Sequence, residues 1–86
     1  MKIKVYGWDG RKPDRSTFET FDGDCSLAVV LAMMATPYAS NLKPRDFMLS
    51  SLAALARTPL TLPQEEALAA DAYLSQLAAL GLTEPA

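Results

Sequence analysis

Residues 24–35 read DCSLAVVLAMMA, and after Asp24, Cys25 and Ser26 nine apolar residues run unbroken over 27–35. An amphipathic helix would place polar residues into such a run at every third or fourth position. A segment apolar all round has no face to give to water, so the pattern predicts a buried central helix over about 25–36. Asp24 is the expected N-cap, since its carboxylate can accept from free backbone N–H groups at the positive end of the helix dipole. Pro37 disfavours helical geometry at Thr36 and helps to end the helix. At about 1.5 Å per residue the segment reaches roughly 18 Å, well short of the about 30 Å of a bilayer core. It reads as protein core and not as a membrane span.

On the N-terminal side, residues 2–8 (KIKVYGW) alternate in the manner of a strand. Ile3 and Val5 point one way, and Lys2, Lys4, Tyr6 and Trp8 the other. The turn formers Asp9, Gly10, Pro13 and Asp14 follow, and residues 16–21 read as a second strand with Phe18 and Phe21 as its apolar anchors. The expectation is an antiparallel hairpin over about 2–21 whose Ile3 and Val5 face lies against helix, because two strands alone are barely stable in water.

On the C-terminal side, a connector from Tyr38 to Lys43 leads to a second helix over about 44–57, where proline suits the first turn. Met48, Leu49, Leu52, Leu55 and Ala56 share one face of it, opposite Ser50 and Arg57. After the connector over 58–63, Thr61 and Gln64 have the spacing of a capping box that opens a third helix over about 63–80. Its core face should be Ala67, Ala70, Tyr73, Leu74 and Leu77, with Asp71, Ser75 and Gln76 in water. Gly81 is the expected C-terminal stop, followed by a loose tail over 82–86. The fold class that results is α+β: one domain over 1–86, with an N-terminal hairpin packed on three helices, helix predominating and the central helix buried.

Length and composition set bounds on function. The chain has 86 residues, 50% hydrophobic and 21% charged, which suits one marginally stable globular domain. Its single cysteine excludes an internal disulfide framework, and the start of the chain has none of the pattern of a signal peptide, so a cytoplasmic protein is expected. The net charge of −2 is unevenly spread. Lys2, Lys4, Arg11, Lys12 and Arg15 outweigh Asp9 and Asp14 near the start. Glu65, Glu66, Asp71 and Glu84 stand without any base after residue 57.

Catalytic chemistry finds little footing. Cys25 sits at a predicted helix N-terminus, where a thiol's pKa falls. The string Asp24-Cys25-Ser26 resembles part of the Asp-Cys-Ser-Gly signature of bacterial cell-wall cysteine peptidases. Leu27 stands where that family has glycine, and the chain has no histidine to act as base. Without histidine, and with one cysteine, a zinc-type ligand set is not expected, nor is a cofactor. Glycines 7, 10, 23 and 81 are too scattered for a phosphate loop.

What remains is surface. The expected activity is that of a non-catalytic protein–protein interaction factor, a small inhibitor or accessory protein of the kind carried by phages or mobile elements. It would act on a larger protein or complex as a monomer or homodimer. Tyr6, Trp8, Arg11 and Lys12 on the hairpin are the expected binding surface, with Glu65 and Asp71 as an alternative acidic surface. Aromatic residues among bases also suit a single-stranded nucleic-acid module, the first alternative. A self-associating assembly subunit is the second.

Overall fold

The computed structural model describes residues 1–35, 41–56 and 61–86. The expected helix stop at Pro37, the start of the connector at Tyr38, Arg57 in the second helix and residues 58–60 lie outside them. Two strands, β1 (Lys2–Trp8) and β2 (Pro13–Asp22), form the hairpin, followed by α1 (Ser26–Met33), α2 (Pro44–Ala56), α3 (Glu66–Ala79) and a short β3 (Thr83–Pro85). The sheet has the order β2-β1-β3, with both pairings antiparallel. The α+β expectation holds, and the Cα radius of gyration, 11.9 Å, is that of a single folded globule of this length, about 12 Å.

The hairpin register runs from Lys2 opposite Asp22 to Tyr6 opposite Phe18, then jumps so that Gly7 faces Asp14 and Trp8 faces Pro13. Residues 15–17 are therefore extra on β2 and bulge out of the ladder. Gly7 makes room for them, since a Cβ there would lie 2.5 Å from Thr17 Oγ1. The loop closes through Asp9, whose Oδ1 accepts from the Arg11 and Lys12 backbone N–H groups at 2.9 Å each. Gly10 takes a φ of 99° at its tip, a conformation most side chains disfavour.

The largest correction concerns the apolar run. Val29, Val30 and Met34 are buried, but Leu31 is 49% exposed and Leu27, Ala28, Ala32 and Met33 are only half-buried. This helix is shorter than expected and packs on one side only, against α3 and β2. The centre of the core is α3, which packs against α1, α2 and β3 and buries Ala69, Ala70, Tyr73, Leu74 and Leu77. Ala69, not the expected Ala67, completes its inner face, and Asp71, Ser75 and Gln76 are exposed as expected. From α2 come Met48 and Leu52, fully buried, with Leu49 and Leu55 half-buried beside them. Ser51 Oγ lies 2.9 Å from Tyr73 Oη and 3.1 Å from the Met48 carbonyl, so the buried phenol keeps a polar partner.

The helix ends depart from the sequence expectation at two of the three expected capping sites that lie within the described residues. Cys25, not Asp24, is the N-cap of α1, with no side-chain capping bond, and the Val29 N–H donates to its carbonyl at 3.1 Å. Glu65, not Thr61, is the N-cap of α3. Residues 61–63 are irregular, and Arg45 at the start of α2 holds them by donating to the carbonyls of Leu62 at 2.8 Å and Pro63 at 3.0 Å. Gly81 does end α3, with a φ of 78°. Its N–H donates to the Ala78 carbonyl at 3.0 Å and that of Leu82 to the Leu77 carbonyl at 2.9 Å, a complete Schellman motif with Leu82 buried. That turn aims the chain back at the sheet. The segment read as a loose tail is instead strand: the Tyr6 N–H donates to the Leu82 carbonyl at 2.8 Å and the Ala86 N–H to the Lys2 carbonyl at 3.0 Å.

Candidate functional site: the outer face of the hairpin sheet

Alternation along β1 sends Ile3 towards the helices, where it packs on the core with its partner Phe21. The opposite face carries Lys4 and Tyr6 from β1, Phe18 from β2 and Glu84 from β3, with Lys4 opposite Glu84 in the ladder. The bulge brings Arg15 onto this face, with its guanidinium 4.4 Å from the centre of the Tyr6 ring.

Four contacts fix the arrangement. The Tyr6 hydroxyl donates a hydrogen bond to Glu84 Oε1. Arg15 donates to Glu84 Oε2 at 3.0 Å. The Phe18 ring meets Tyr6 edge-on at 6.2 Å between centroids, with Lys4 Nζ 4.6 Å from its centre. The Tyr6 bond and the charges of Arg15 and Lys4 hold the Glu84 carboxyl below its usual pKa. Glu84 is thereby a centre that ties all three strands together, although its sequence position suggested only a solvated tail.

The expected binding residues do not form one patch. Tyr6 is 9% exposed, its hydroxyl held by Glu84 and its ring flanked by Arg15 and Phe18. Trp8 is half-buried and packs on the core instead of standing outward with Tyr6. Arg11 and Lys12 are exposed in the loop between the strands. Phe18, read as an anchor, is 53% exposed. Of the acidic alternative, Glu65 and Asp71 are both exposed, at the N-cap of α3 and within its second turn. Arg15, Phe18 and Glu84 stand on this face but outside the expected binding surface. Period-two alternation would assign Arg15 to the inner face beside Thr17 and Glu19, and only the bulge places it outside.

Among the described residues, no three His, Cys, Asp or Glu side chains converge as a metal site would require, and no helix is long and apolar enough to cross a membrane. Cys25 is exposed and unbonded. Comparison with known proteins returns no family model, no curated protein and no solved structure that matches this chain.

Proposed function

We propose that this chain is a non-catalytic protein–protein interaction factor, a small cytoplasmic inhibitor or accessory protein that binds a larger partner through the outer face of its hairpin sheet. The observation that supports this reading is Phe18, a large apolar ring 53% exposed and flanked by Lys4 and Tyr6, with Arg15 lying over the Tyr6 ring. Aromatic and arginine side chains already fixed in place lose little freedom on binding, which is why such residues dominate interface energetics. Lys4 and Arg15 beside the exposed ring favour a partner with acidic residues around an apolar recess.

The nucleic-acid alternative has less support. Tyr6 has Arg15 over its ring and Trp8 lies on the core, so neither offers an open surface for a base, and Glu84 adds negative charge.

Affinity capture from cell extract tests the reading. A protein retained by the wild type should be lost with Phe18→Ala, while the thermal transition stays within a few degrees. Retention of the same proteins by the variant at equal yield would remove the outer face as the docking surface.

A further inference from the structure

The strand order leaves β2 with β1 on one side and no described strand on the other. Its first half is defended against pairing by Pro13 and by the bulge over 15–17, devices that natural sheets use to blunt an edge. Residues 18–22 (FETFD) are different: they pair regularly with β1, contain neither lysine nor proline, and are exposed except for Phe21, which is half-buried. Beneath this stretch a groove of about 350 Å³ opens, lined among others by Val5, Gly7, Thr17, Glu19, Phe21 and Met33.

Among the described residues, Glu19 is the one charged side chain lining that groove. It sits opposite Val5 in the ladder, and the ion pair found among the described residues joins Arg15 to Glu84, leaving Glu19 out. A carboxylate above apolar walls complements a long basic side chain, whose methylene stem lies on the walls while its head stays at the rim.

We propose that the free edge of β2 over residues 18–22 takes an extended segment of the partner protein as a fourth strand, with a lysine or arginine of that segment lying in the groove against Glu19. The inference rests on the interaction reading above and names the partner's chemistry. Main-chain hydrogen bonds to the edge give affinity, and the side chain in the groove gives specificity. The alternate side chains of the added strand fall on the other face of the sheet, beside Phe18.

Fluorescence polarisation with the blocked, labelled peptide Val-Lys-Val-Lys-Val-Lys-Val tests it. Saturable binding is expected, weakened about fivefold or more when the lysines are replaced by glutamates, in line with one ion pair at a solvent edge. Glu19→Lys should reverse that preference, whereas Asp71→Asn, an equal loss of negative charge elsewhere, should leave it unchanged. N-methylation of alternate residues in the phase that faces the edge should abolish binding, and the other phase should not. No binding at millimolar peptide, or equal weakening by Asp71→Asn, would overturn the proposal. Self-association of Glu19→Val without peptide binding by the wild type would also overturn it, because Glu19 would then serve only to guard the edge. If the peptide fails while Phe18→Ala still abolishes capture, the edge falls and the outer-face reading stands; if both fail, both fall.

Discussion

Val30 and Leu31 are neighbours in one apolar run, yet placing aspartate at each should give opposite results. Val30 is fully buried in the core cluster, whereas Leu31 is 49% exposed. A carboxylate at position 30 would have no described basic group to pair with, and such burial costs several kcal/mol. A domain of this size has about 4–13 kcal/mol of stability, at roughly 0.05–0.15 kcal/mol per residue. Val30→Asp should therefore show no cooperative unfolding. At position 31 about half of the burial value of a leucine is at stake, about 1 kcal/mol. An aspartate in the last turn of α1 adds about 0.3–1 kcal/mol of unfavourable dipole interaction. Leu31→Asp should keep a sharp transition with Tm lowered by roughly 5–15 °C, and Leu31→Gln should recover the dipole share. Thermal and urea unfolding followed by circular dichroism measure all three. If Leu31→Asp loses cooperative folding as Val30→Asp does, α1 is covered on every side and the packing described above is refuted.

Other consequences follow from the packing and the polar contacts. Gly81→Ala forces a side chain into a left-handed conformation and should cost about 1–2 kcal/mol in urea unfolding, with no steric share because Pro13 Cγ would lie 3.6 Å away. Ser51→Ala strips the buried Tyr73 hydroxyl of its partner and should cost about 1–3 kcal/mol, while the double variant with Tyr73→Phe should be milder than the single one. Hydrogen bonds lower the carboxyl pKa values of Asp9 (from the Lys12 and Arg11 N–H groups) and Asp14 (from Ser16), as the Tyr6 bond does for Glu84. Folded-state values below the unfolded ones mean that this stabilisation is present above about pH 4 and is lost as the pH falls through the lowered values. Glu84→Gln should make the acid decline of Tm shallower in that range.

Much of the fold was legible in the sequence, and the misreadings share a cause. Local patterns located the hairpin, the inner faces of α2 and α3 and the Gly81 stop, because each is set by chain-local geometry. The run over 27–35 misled because a uniformly apolar helix carries no directional signal. Its content fixed that it would be partly buried, and the arrival of α3 fixed on which side. Strand β3 was invisible since three residues ending in Glu84 and Pro85 have no period to read, and they pair only because the Schellman turn delivers them to β1. The outer face was misassigned for a related reason. A three-residue bulge moved Arg15 across the sheet, and Glu84 came from the far end of the chain to bond Tyr6.

Whether Phe18 marks the docking face can be measured by photo-crosslinking in cells from benzoylphenylalanine placed at position 18. Leu31 and Leu68, similarly exposed at 49% and 52%, serve as control positions. A discrete adduct with another protein is expected from position 18 and none from position 68. Adducts from position 31 alone would contradict this and would move the docking surface to α1.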